Sequence, residues 1–208
     1  MIIKTFPTGV LQVNTYLLID EKSKEAVIID LGGDFEKLND EIKKHDAKLK
    51  FVLNTHGHFD HIMGDVSVLE GENKVPIYMH KSDLPLSDNI EDSLKKWGIA
   101  ASFPKIKIEN FVDESSDLAI GGHKITVIHT PGHTLGGVCY LIDNDLFAGD
   151  TLFYNSIGRT DLEGGNYQTL ISSIKDKLFK LNDEVKVYPG HGPATTIAFE
   201  KQNNPYLK

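Results

Sequence analysis

The sequence predicts an α/β sandwich, two sheets faced together with helices outside. Three observations lead there: apolar runs of strand length recur along all 208 residues, helix-length segments interrupt them, and the strand runs stay adjacent in sequence. Two halves, 1–105 and 110–208, each hold about four strands and two helices, enough for one sheet apiece.

In chain order, strands are expected at 1–6, 15–19, 26–29, 49–53 and 77–79. These runs are aliphatic or β-branched and stop at Asp, Gly, Asn or Thr, residues that end strands. Helices are expected at 35–45 and 62–69, the second weakened by Gly64. The segment 87–107, with Pro85, Gly98 and Pro104 in or beside it, is expected to be an irregular surface connection, a lid being the alternative. Further strands follow at 124–128, 138–142, 145–148 and 185–188, with helices at 167–181 and 195–202. In 167–181, Leu170, Ile171, Ile174, Leu178 and Leu181 fall on one face, the pattern of a helix packed on a core.

Composition narrows the function. The hydrophobic share is 40% and the charged share 25%, ordinary for a globular chain, and one domain over 1–208 is expected. A formal net charge of −8 argues against nucleic acid or an anionic membrane as partner. No secretory leader or bilayer-length apolar stretch appears, and the single cysteine cannot form an internal disulfide. A cytoplasmic protein acting on a small molecule is the expectation, with the oligomeric state open.

Nine histidines stand against that one cysteine. Residues 55–61 read T-H-G-H-F-D-H directly after the strand at 49–53. His56 and His58 are two apart in extended chain, so both imidazoles leave one side of the backbone. Asp60 and His61 follow where the chain turns into a helix, and approach the same point from another direction. Three later strands stop at a glycine and then deliver a ligand-type residue: His133 after Pro131-Gly132, Asp150 after Gly149, and His191 after Pro189-Gly190.

His56, His58, Asp60, His61, His133, Asp150 and His191 offer only imidazole and carboxylate. A catalytic zinc takes three protein ligands and keeps a position for water, so this set exceeds one ion and suits two with a bridging carboxylate. Ligands without sulfur fit zinc first, with iron or manganese as alternatives. Such a pair would activate a bridging water for attack on a carbonyl.

The T-H-G-H-F-D-H segment with His133, Asp150 and His191 in that order resembles the metallo-β-lactamase-fold hydrolases. A-G-D-T-L-F at 148–153 and S-I-G-R-T-D at 156–161 are most similar to the short bacterial glyoxalase II-like members. The resemblance implies a four-layer αββα sandwich with the site at one edge between the sheets. It implies a first metal on His56, His58 and His133, a second on Asp60, His61 and His191, and Asp150 bridging. Asp60 and Asp150 would then be catalytic as well as ligating. The implied activity is hydrolysis of a thioester such as S-2-hydroxyacyl-glutathione. Two departures bear on glutathione: only a short segment follows His191, and Gly192-Pro193-Ala194 stand where the family carries a tyrosine.

Arg159, Tyr154 and Asn155 are candidate substrate contacts near Asp150. The competing role for Arg159 is an ion pair with Asp161, and for the other two it is packing. His129 is a candidate support for the site. His45, His80 and His123 are expected to be surface or structural residues, Cys139 a buried small residue, and Trp97 and Phe103 core residues, with covering of the site from the 87–107 segment as their alternative. Within the same fold the rivals are a persulfide dioxygenase with one iron and a lactone or other ester hydrolase. A β-lactamase is disfavoured by Asp150, where many of those enzymes place cysteine, and by the missing leader. A regulatory metal-binding module is the non-enzymatic alternative.

Overall fold

A computed structural model describes residues 1–71, 74–99 and 103–208. The first half folds as β1 (Ile2–Thr8), β2 (Val13–Asp20), β3 (Glu25–Ile29), α1 (Phe35–Lys44), β4 (Lys48–Leu53), α2 (Phe59–Ile62), α3 (Asp65–Glu70) and β5 (Ile77–Met79). Next come α4 (Leu84–Asp88), α5 (Ile90–Lys96), β6 (Asn110–Phe111), β7 (Leu118–Ile120), β8 (His123–His129), β9 (Val138–Ile142) and β10 (Asp145–Gly149). The chain finishes with β11 (Leu152–Phe153), β12 (Ser156–Ile157), α6 (Tyr167–Asp176), β13 (Lys186–Pro189), β14 (Thr195–Thr196) and α7 (Ile197–Asn203).

One six-stranded sheet runs in sequence order from β1 to β6, and a second has the order β14-β13-β10-β9-β8-β7. Side-chain alternation assigns the layers. Leu17, Ile19, Ala26 and Ile28 pack outward under the helices with Leu38 and Ile62. Their neighbours Tyr16, Leu18, Val27 and Ile29 point the other way, onto Tyr140, Ile125 and Phe147 of the second sheet. Behind that sheet, Cys139, Leu146 and Val187 meet Leu170 and Ile174 of α6 and Ile197 of α7. Both faces of the central strands are therefore buried, and the result is an αββα sandwich.

Three expectations change, the first being the helix expected at 167–181, which ends at Asp176 and is followed by a separate 3-10 turn over Leu178–Lys180. The helix expected at 62–69 is two pieces, with Gly64 beginning the second and α2 starting early enough to contain Asp60 and His61. The segment 87–107 is not irregular throughout, although its residues 100–102 lie outside those described. Pro85 sits in the first turn of α4, where its missing N–H costs nothing. Ile90 and Leu94 bury one face of α5, whose first turn is acidic and last turn basic, and Gly98 at φ +70° follows its end.

The sheets gather the site by placing strand ends together. Ile29 pairs with Leu53 in parallel register, so Asp30 emerges beside the start of the histidine motif. Gly149 pairs with Pro189, which brings Asp150 alongside the loop to His191. Hydrogen bonds then clamp the sheets at this edge: Val138 N–H to Thr55 O at 2.8 Å, Asn14 N–H to Gly190 O at 2.7 Å, and Tyr16 hydroxyl to Pro189 O at 2.6 Å.

Candidate metal centre

His58 has extended backbone (φ −69°, ψ 144°) and caps the start of α2, so the chain reverses between His58 and His61. This places the motif's four donors in two adjacent groups. His56, His58 and His133 bring one ligand atom each within 4.8 Å of one another, and so do Asp60, His61 and His191. Asp150 makes a third such group with His56 and His61, one member from each triad. All seven sequence candidates are therefore brought together. Asp150 Oδ1 lies 3.4 Å from His61 Nε2, and its Oδ2 lies 3.6 Å from His133 Nε2.

The donors are oriented for a cation. His133 Nδ1 donates to Arg159 O at 2.7 Å, and His61 Nδ1 faces Asp30 Oδ2 at 2.9 Å, leaving each Nε2 turned inward. Thr55 Oγ1 donates to Asp30 and lies 3.1 Å from His56 Nδ1. His56 Nε2, His61 Nε2 and Asp150 Oδ1 are buried without a hydrogen-bond partner among the described residues. Buried orphan donors and acceptors are costly, and three this close together are what bound cations would satisfy. The residues fit divalent metal binding.

Electrostatics agrees. Burial drives His56 well below the ordinary imidazole range, with the neighbouring histidines adding to the shift. Burial and His133 likewise hold His58 down at about 3. Neutral imidazole is the form that ligates metal. Burial would raise Asp60 and Asp150, but His61 and the other imidazoles outweigh it and keep both carboxylates below their ordinary range. His61 goes the other way: burial opposes its charge, yet Asp60, Asp30 and Asp150 around it raise it well above the ordinary value. A cluster of carboxylates that holds a proton so firmly is asking for positive charge.

A cavity of about 770 Å³ opens beside the centre. His58, Asp60, His133, Asp150 and His191 form its floor, with Leu11, Phe59, Leu86, Trp97, Arg159 and Leu162 among its walls.

The lesser candidates divide. Arg159 lines the cavity and also forms the ion pair with Asp161, at 2.9 and 2.7 Å. Tyr154 and Asn155 do not line it. They form the turn between β11 and β12, where Tyr154 stacks on Phe199 at 4.9 Å and Asn155 N–H reaches the buried Glu200 carboxylate. Both therefore contact α7. His129 Nε2 donates to Leu135 O at 3.0 Å and its ring stacks on His80, with 4.4 Å between ring centroids. Trp97 is not a core residue: it is 46% exposed on the cavity rim. Cys139 is buried as expected, its thiol pushed up to about 11.

Two supporting acids were not singled out from sequence. Asp30 (φ 56°) is buried and takes the Thr55 backbone N–H, the Thr55 hydroxyl and His61. Asp83 ties Gly57 N–H to Thr134 Oγ1 and Gly136 N–H, locking the first histidine loop to the His133 loop. The available signal was an acid at the carboxyl end of the strand next to the motif strand; nothing local marks Asp83.

A family model described as the metallo-beta-lactamase superfamily matches residues 8–191. The chain belongs to that superfamily. It is 37% identical over 210 residues to the hydroxyacylglutathione hydrolase GloC of Haemophilus influenzae, covering 100% of this chain and 98% of that one. Among solved structures it is similar to BLEG-1, described as a B3 metallo-beta-lactamase, at 37% identity and a TM-score of 0.90 with both chains fully covered. It is also similar to TTHA1623, solved in a di-iron-bound form, at 34% identity and a TM-score of 0.86, again with full coverage of both. As a member of this superfamily the chain is a metallo-hydrolase, and the αββα layering found above is the fold of these relatives.

Proposed function

We propose that the chain hydrolyses thioesters, with an S-2-hydroxyacyl-glutathione type compound as the reference substrate, at a dinuclear centre. The observation that carries this is the convergence of seven imidazole and carboxylate donors, three with orphaned ligand atoms, on the floor of a cavity large enough for a small molecule. In this assignment His56, His58 and His133 hold one ion, Asp60, His61 and His191 the other, and Asp150 is shared. Two divalent ions held there would lower the pKa of a shared water and polarise a carbonyl beside it, which is hydrolytic chemistry near neutral pH.

The protein's own groups supply position. Asp60 lines the cavity as an ionised carboxylate, so it accepts a hydrogen bond from the attacking water and orients it. A thiol departs readily as thiolate, so the reaction needs no strong general acid. The relation to GloC supports a thioester substrate, and zinc is favoured with iron and manganese as alternatives. A small-molecule substrate, a cytoplasmic setting and a single domain over 1–208 complete the proposal.

The likeness to BLEG-1 favours a second substrate class, β-lactams, opened by the same attack on an acyl carbon. One experiment separates the possibilities. Protein reconstituted with zinc, iron or manganese is assayed against thioester, lactone, β-lactam and persulfide panels, with metal content measured per chain. Thioester turnover with two metals per chain is expected. β-Lactam turnover without thioester turnover would transfer the assignment to the second class. A single iron with oxygen uptake on persulfide would overturn hydrolysis altogether.

A further inference from the structure

The walls of the cavity say more about the substrate than its floor does. Leu11, Phe59, Leu86, Trp97 and Leu162 provide an apolar lining. Trp97 follows the last residue of α5 and meets Phe59 edge-on, with ring centroids 6.0 Å apart. It is nevertheless 46% exposed, so much of the indole is left uncovered by the described residues. The apolar surface continues outward at Leu135, which lies against Gly164 near Leu162 and Glu163 and is 59% exposed. Large exposed apolar side chains gathered around one cavity mark a surface built to be covered.

Charge points the same way. The cavity's two basic side chains beyond the histidines, Lys96 and Arg159, each face a local carboxylate. Arg159 grips Asp161 through two hydrogen bonds and holds its guanidinium carbon 5.9 Å from the Trp97 ring centroid, while Lys96 lies 3.7 Å from Glu163. The rim is thus charge-balanced in a chain of net charge −8. A carrier with several carboxylates or phosphates finds no uncompensated cation there among the described residues. An uncharged ring or branched chain finds the indole face, which is rigid and gives large contact area at small entropic cost.

We propose that this cavity selects a thioester or ester whose body is uncharged and aromatic or branched aliphatic, in preference to a polyanionic carrier such as glutathione, and that Trp97 is the specificity-determining contact. The proposal rests on the hydrolase assignment above and narrows its substrate class. Binding and turnover are tested separately, because Trp97 is the sole tryptophan of the chain and its fluorescence reports on this wall directly.

Metal-reconstituted protein is titrated with two non-hydrolysable thioethers, S-methylglutathione and benzyl methyl sulfide, while Trp97 emission is followed. The benzyl compound is expected to change the emission at about tenfold lower concentration. No change with either compound, or tighter binding of S-methylglutathione, would overturn the proposal. Steady-state rates are then compared for lactoyl thioesters of benzyl mercaptan and of glutathione. The benzyl ester is expected to lead in kcat/KM by about tenfold, Trp97→Ala to bring the ratio close to one mainly through KM, and Trp97→Phe to keep most of the preference. A ratio that Trp97→Ala leaves unchanged overturns the role of Trp97. Emission changes in the expected order without any turnover would uphold the subsite and remove the hydrolase assignment.

Discussion

Asp30 Oδ2 lies 2.9 Å from His61 Nδ1, and the same carboxylate accepts the Thr55 hydroxyl that abuts His56. One buried acid thus orients a histidine of each proposed metal triad, although it ligates neither ion. Asp30→Asn should weaken metal binding by about 10–100-fold, since losing the group that fixes a ligand imidazole has this scale of effect. Competition with a chromophoric chelator measures it. Wild-type affinity in the variant would show that His61 needs no such partner.

Asp150 stands with a member of each triad, so its loss should disturb both ions rather than one. Asp150→Asn is expected to lose about one metal equivalent or more per chain and to abolish turnover. Stripping the wild type with chelator should lower Tm, and adding metal back should restore it, because an ion that binds only the folded chain stabilises it. A Tm indifferent to chelator, in protein shown to carry metal beforehand, would count against the centre.

Gly190 is a glycine because of its neighbours. A Cβ built there would sit 2.3 Å from Asp150 Oδ1 and 2.6 Å from His61 Cε1. Gly190→Ala should therefore push two proposed ligands apart, costing about 1–3 kcal/mol of stability and most of the bound metal. Calorimetry and metal analysis check both, and an alanine variant with full metal content would mean that the loop has room to give.

Asp65 is fully buried and hydrogen-bonded by Asn54 Nδ2 at 2.6 Å. Burial lifts it well above the ordinary carboxylate range. The folded chain then keeps a proton that the unfolded chain releases above about pH 4. Because the folded state binds more protons, stability falls as pH rises through the interval between the two pKa values. Asp65→Asn keeps the shape and removes the titration, so its Tm should exceed that of the wild type at pH 8 and converge with it near pH 4. An advantage of equal size at both pH values would point to packing instead.

The candidate metal donors were legible because their signal is local. His56, His58, Asp60 and His61 share one short motif, and His133, Asp150 and His191 each follow a strand and a glycine. Strand runs were legible for a similar reason, since burial on both faces demands continuous apolar sequence, as in β2 and β3. Where local punctuation was ambiguous, expectation failed. Pro85 and Gly98 were read as marks of irregular chain, but they bracket the segment carrying α4 and α5, whose buried Ile90 and Leu94 are set by the first sheet beneath them.

Residue chemistry and short-range periodicity in the sequence were enough for the layer type and for the candidate donor set. Tertiary structure alone decided which residues support and surround that set. Asp30 reaches Thr55 only because β3 and β4 pair in parallel register, and Asp83 joins Gly57 to Gly136 across two separate loops. Trp97 likewise becomes a cavity wall through α5 packing over the site rather than through any motif of its own. Such contacts depend on sheet order and helix docking, which join residues far apart in the chain and leave no spacing for a reader to find.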